Sequence, residues 1–147
     1  MKYDDASWHY GGDFPVGLPP EAGATHIAMF VAWAVLNGLA GELHNKDAAD
    51  ELALLRRREV TPAQWFIQTC DEKFTNEDLN DEGNSFASSY YAGGEGLHTA
   101  EGTYLADYCD AFPSANSLYD VEDSWASFDV LAPKLARRLE AWRSCRS

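Results

Sequence analysis

The sequence predicts an all-α fold: a single compact helical domain of about five to seven helices over residues 1–147, with an ordered N-terminal loop. Three observations carry this. Apolar residues recur at helical spacing in segment after segment, no run of useful length alternates with the period of two that a half-buried strand needs, and the segments are punctuated by helix starts and stops. With 46% hydrophobic and 13% aromatic residues there is material for one core. A chain of this length buries roughly 68–70% of its unfolded surface.

Residues 1–20 hold Gly11, Gly12, Pro15, Gly17, Pro19 and Pro20 among four aromatics, the composition of an ordered loop packed by its own rings. Glu21 to Leu39 is apolar on every side and predicts a central buried helix ended by Gly38 and Gly41. Asp47 to Arg58 opens on acids and closes on Arg56, Arg57 and Arg58, which suits the helix dipole, and Leu52 and Leu55 form its apolar side. Thr61-Pro62 reads as an N-cap followed by proline at the first helical position, with Trp65, Phe66 and Thr69 carrying the helix to about Lys73. Thr75 with Asp78 three residues later predicts a capped short turn to Leu79. Phe86, Tyr90 and Tyr91 mark a further helix, closed by Gly93-Gly94-Glu95-Gly96. His98 to Phe112 spaces Tyr104, Leu105 and Tyr108 helically and stops before Pro113. The last helix is expected over Trp125 to Arg143, with Phe128, Leu131, Leu135, Leu139 and Trp142 on one side and Pro133 kinking or splitting it.

The charge narrows the partners. There are 24 acidic residues against 11 Lys and Arg, a net charge of −13, which disfavours DNA, RNA and anionic membranes and favours a basic protein. The excess is segregated. Between Lys73 and Lys134 (residues 74–133) there is no Lys or Arg, while twelve acids and ten aromatics fall there. Rings that supply burial beside carboxylates that supply steering are what a site for a basic protein needs. The apolar run Ile27 to Leu36 is far shorter than the ~20 residues of a spanning helix. Met1 to Asp5 does not read as a secretory signal, and Cys70, Cys109 and Cys145 form no C-x-x-C pair. A cytoplasmic protein with reduced thiols is the expectation.

The chemical motifs are sparse. His9, His26, His44 and His98 are scattered, without H-E-x-x-H or a Cys/His cluster at zinc spacing, so no metal or other cofactor is expected unless folding gathers distant ligands. The glycine-rich segments lack the Lys-Ser/Thr of a phosphate loop, and no G-x-S-x-G elbow occurs. Asp4, Asp5, His9 and Asp13 among Trp8, Tyr10 and Phe14 form the densest mix of titratable and aromatic groups. That mix suits an acid–base site, because rings desolvate a carboxylate or imidazole. It also suits a loop whose polar groups satisfy its own backbone and cap the central helix, and the structural role is favoured.

The opening Tyr3-Asp4-Asp5-Ala6-Ser7-Trp8-His9-Tyr10-Gly11-Gly12-Asp13-Phe14-Pro15 resembles the start of an uncharacterised family of small bacterial proteins. The resemblance continues through Ala24-Thr25-His26-Ile27, Leu36-Asn37-Gly38-Leu39 and Asp71-Glu72-Lys73-Phe74-Thr75 to the final tryptophan-bearing helix. It brings no activity and no catalytic residue. In size, acidity and composition the chain is also similar in kind to bacterial toxin-immunity proteins. The leading expectation is an immunity-type binding protein that covers the basic active-site cleft of a cognate secreted toxin. The expected contacts are the carboxylates Glu77, Asp78, Asp81, Glu82, Asp107, Asp110, Glu122 and Asp123, with Tyr90, Tyr91, Tyr104 and Trp125 as anchors. The alternative is a small hydrolase-like enzyme using the Asp4–Asp13 loop and His26; an adaptor without inhibitory action is a third.

Overall fold

The computed structural model describes residues 2–10, 17–91 and 104–146. Among these the chain is mostly helical, with a small two-stranded sheet: β1 (Lys2–Asp5), α1 (Ala6–Tyr10), α2 (Thr25–Leu36), α3 (Ala49–Arg56), α4 (Pro62–Cys70), β2 (Lys73–Thr75), α5 (Asp81–Tyr90), α6 (Tyr104–Ala111) and α7 (Trp125–Arg146). Short 3-10 turns at Pro20–Gly23, Asn76–Asp78 and Leu118–Asp120 and a π-turn at Leu43–Asp47 join them.

The central helix follows from its composition. Thr25 through Val35 of α2 are all buried, as a helix without a polar face must be, and α2 packs chiefly against α4, with α7 also against it. Gly38, at φ +85, takes the left-handed conformation that closes the helix at little steric cost. Phe30 is the hub of one continuous core. Trp33, Phe74, Phe86, Tyr90, Tyr91 and Tyr104 surround it at ring-centroid distances of 4.9–6.2 Å. α4 begins as its sequence dictates: the Thr61 hydroxyl accepts from Gln64 N–H at 3.2 Å, and the Gln64 side chain accepts from Thr61 N–H at 2.9 Å. Thr75 and Asp78 form a second capping box.

Three expectations are corrected. The N-terminal segment is not a loop over residues 2–10. It is a strand and a short helix, β1 pairing antiparallel with β2 in the register Asp4 to Phe74 and Asp5 to Lys73. These strands are too short to show alternation, and their paired residues, Asp4 with Phe74 and Asp5 with Lys73, lie far apart in the sequence. The central helix starts at Thr25, after the Pro20–Gly23 turn, and stops at Leu36. Pro133 does not split α7, which runs continuously. Pro133 and Asp129, one turn earlier, both lie on the exposed side of the helix, while buried Leu131 and Leu135 hold both halves down. Residues 11–16 of the expected loop, the Gly93–Gly96 break and His98 lie outside the described residues.

Candidate functional site

β1, α1 and the first turn of α2 bring Asp4, His9 and His26 together. The Asp4 carboxylate is buried. Its Oδ1 accepts from the backbone N–H of Asp5 at 2.8 Å and lies 2.8 Å from His9 Nε2, and its Oδ2 accepts from Tyr91 Oη at 2.5 Å. His26 Nε2 lies 3.7 Å from Asp4 Oδ2, an electrostatic contact too long for a hydrogen bond. The two imidazoles meet edge to face at 4.4 Å, and His9 Nδ1 is 2.9 Å from Tyr119 Oη.

Burial opposes the charge on Asp4, but His26, His9 and Tyr91 outweigh it and hold the carboxyl well below the usual range. Against an ionised Asp4, His9 presents an Nε2–H to the carboxylate, and the Tyr119 hydroxyl sits beside its Nδ1. Burial pushes the His26 imidazole down, more than Asp4 lifts it, so His26 is neutral near pH 7. Among the described residues neither ring nitrogen of His26, which is 0% exposed, has a hydrogen-bond partner. Burial, reinforced by Asp4, raises Tyr91 and Tyr119, which therefore stay protonated donors. A carboxylate, two imidazoles and two phenols thus converge; Asp4 and His26 are buried, and His9, Tyr91 and Tyr119 are partly exposed.

A second cluster is sealed. His44 Nε2 lies 2.8 Å from Asp78 Oδ1, the Cys70 thiol donates to the same oxygen at 3.5 Å, and Asp78 Oδ2 accepts from Thr75 N–H at 2.9 Å. Burial and the Asp78 charge push the Cys70 thiol far up, so it stays protonated and is no nucleophile. This cluster ties the π-turn, the end of α4 and β2 to one another.

Beside the first cluster runs a groove of about 370 Å³ between the Leu18–Ala22 segment, the first turns of α4 and Tyr119–Asp123. Leu18, Pro19, Ala63, Ile67 and Val121 give it an apolar surface. Glu21, Asp120, Glu122 and Asp123 also line it, and no Lys, Arg or His is among its described lining residues. Glu21, Asp120 and Glu122 are exposed.

The profile of the family described as "Domain of unknown function (DUF7832)" matches residues 2–121. The chain belongs to the DUF7832 family. That match takes in both clusters and nearly all of the groove lining, and ends before α7. No curated protein and no solved structure matches.

In this DUF7832 chain the residues singled out from sequence divide by burial. Glu77, Asp81, Asp110 and Glu122 are exposed, whereas Asp78, Asp107, Tyr90 and Tyr104 are buried and do not face outward. Asp107 accepts from Arg138 Nε at 2.6 Å, Arg138 Nη2 at 2.9 Å and Tyr90 Oη at 2.6 Å. Tyr104 donates to the backbone carbonyl of His26, and Tyr91 donates to Asp4. Asp123 accepts from the Thr61 hydroxyl and, at 3.0 Å, from Ala63 N–H, so it secures the start of α4. Glu82 pairs with Arg143, and Trp125 donates to the Val60 carbonyl under the Arg58 guanidinium. The base-free segment is therefore partly answered by bases from elsewhere in the chain. Sequence reasoning pointed to Asp4 and His9 through their density with aromatics and added His26 in the enzyme alternative, but did not select as site residues Tyr119, Glu21 or Asp120, whose placement has no local signature.

Proposed function

We propose that this protein is an immunity-type binding protein whose acidic groove and its flanks cover the basic active-site cleft of a cognate secreted toxin. The carrying observation is the groove itself: an apolar surface lined by four carboxylates, with no base among its described lining residues. The apolar surface supplies burial, and the carboxylates supply orientation and long-range attraction for a cationic surface. Glu122 and Asp123 come from the base-free segment, and Glu21 adds a charge from the other side of the groove. Pairing of Asp107 with Arg138 and of Glu82 with Arg143, together with the burial of Asp78, leaves exposed residues such as Glu122 and Asp120 to carry the outward charge, which narrows the surface expected to meet the partner.

The test is association kinetics with the basic protein that the immobilised chain captures from its host. Glu21→Lys, Asp120→Lys and Glu122→Lys together slow association at least ~10-fold and flatten its salt dependence, with unfolding unchanged. Asp123 is left intact because it caps α4. Equal association rates for wild type and triple variant across a salt series refute the proposal.

A second reading is a hydrolase-like enzyme, supported by the convergence of Asp4, His9 and His26. It requires a turnover that His9→Gln abolishes. If His9→Gln leaves every host phenotype unchanged, this reading fails.

A further inference from the structure

We propose that Asp4, His9 and His26 form a binding site for a divalent first-row transition cation, of which zinc is the representative. The site goes beyond the acidic groove and does not depend on it. Imidazole nitrogen with carboxylate oxygen is the donor set such ions take, and metal–ligand distances of about 2.0–2.2 Å put neighbouring ligand atoms roughly 3.4 Å apart in a tetrahedral site. Here one donor atom from each of the three residues lies within 4.8 Å of the others, and the carboxylate reaches both rings, with His9 Nε2 2.8 Å from Oδ1 and His26 Nε2 3.7 Å from Oδ2. Small side-chain rotations close that range.

The independent observation is His26. It is fully buried, its Nε2 is directed at Asp4, and neither ring nitrogen has a hydrogen-bond partner among the described residues, although leaving a buried polar group unsatisfied ordinarily costs about 1–3 kcal/mol. A cation between Nε2 of His26 and the Asp4 carboxylate would satisfy that nitrogen. Asp4 needs such a counter-charge as well. Among the described residues no Lys or Arg comes within ion-pair distance of it, and only the two imidazoles do.

The surroundings already serve as an outer shell. Tyr91 holds one Asp4 oxygen, and Tyr119 sits on His9 Nδ1. When His9 Nε2 ligates the ion, its proton resides on Nδ1 and the Tyr119 hydroxyl accepts it, so that contact orients the ring. The half-buried His9 provides the entry path. Three protein ligands leave a coordination position for water, the arrangement of an open site. The His44–Cys70–Asp78 cluster is the weaker candidate: its His44 Nε2 is already held by Asp78, whereas His26 offers an unpartnered Nε2, and all three of its residues are buried.

The experiment is calorimetric titration of Zn²⁺ into the chelator-treated full chain carrying Cys109→Ser and Cys145→Ser, which removes the exposed thiols, with Co²⁺ absorption as a second readout. The expected result is one equivalent bound, with tetrahedral or five-coordinate Co²⁺ bands and no thiolate-to-metal charge transfer. His9→Ala abolishes this binding. Tyr119→Phe weakens it about 10–100-fold while its circular dichroism stays that of the wild type, and it decides the matter should His9→Ala fail to fold. Absence of a one-equivalent isotherm, full affinity in both variants, or a thiolate band implicating Cys70 each overturns the proposal.

Discussion

Replacing Arg138 by methionine should destabilise the protein far more than the same change at Arg143, although both arginines make two-pronged contacts to a carboxylate. Arg138 holds Asp107, whose side chain is 3% exposed, whereas Arg143 holds Glu82, which is 39% exposed. Removing one partner of a buried pair costs about 3–5 kcal/mol, because the other charge stays behind without compensation. Arg138 is itself 42% exposed, so water makes good part of that loss and the expected cost is about 2–3 kcal/mol. Exposed pairs are worth about 0–1 kcal/mol, which sets the Arg143→Met expectation. At about 2–4 °C per kcal/mol for a chain of this size, Arg138→Met lowers Tm by roughly 5–10 °C.

Urea unfolding of both variants measures the contrast, and pH gives it a sign. Burial pushes the Asp107 carboxyl up, but hydrogen bonds from Arg138 and Tyr90 and the Arg138 charge pull it below its ordinary 3.8. A carboxyl depressed in the folded state stabilises the protein above its unfolded pKa and loses that contribution as pH falls through the folded one. The gap between wild type and Asp107→Asn should therefore be full above about pH 4 and shrink below it. If Arg138→Met and Arg143→Met cost the same, or if the gap does not change with acid, the assignment of Asp107 to the interior electrostatics is wrong.

Two further outcomes probe the packing around the candidate sites. Gly83→Ala would raise helix propensity on a solvent face, but in α5 the new Cβ meets the Leu39 carbonyl at 2.8 Å and Leu79 Cβ at 3.0 Å; a loss of about 1–3 kcal/mol in urea unfolding is expected, and a gain would contradict this close approach. Thiol titration with an aromatic disulfide should show Cys109 and Cys145 reacting quickly and Cys70 only on unfolding, and rapid reaction of all three would mean that the His44–Asp78 cluster is open.

Much of the helical architecture is written in neighbouring residues. Thr61-Pro62-Ala63-Gln64 contains a cap, a proline at the first position and the reciprocal side chain, so α4 starts where those residues say. The all-round apolar run of α2 could only be buried, and it is. The sheet was not legible, because Lys2-Tyr3-Asp4-Asp5 carries no alternation and its partner lies beyond α4. Nor was the sorting of the acids. Asp107 and Asp110 sit on the same helix in a stretch without bases, yet one is buried on Arg138 and the other is exposed.

Caps, helix faces and the net charge depend on residues a few positions apart, whose interactions survive any arrangement of the helices. Whether a carboxylate steers a partner, secures a helix or faces two imidazoles depends on which distant atoms packing sets beside it. Asp4 meets Tyr91 across 87 residues, and His9 meets Tyr119 across 110. Separations of that length leave no trace in local spacing, since burial of the Phe30 core closes them, and the chemistry of the candidate site follows from that closure.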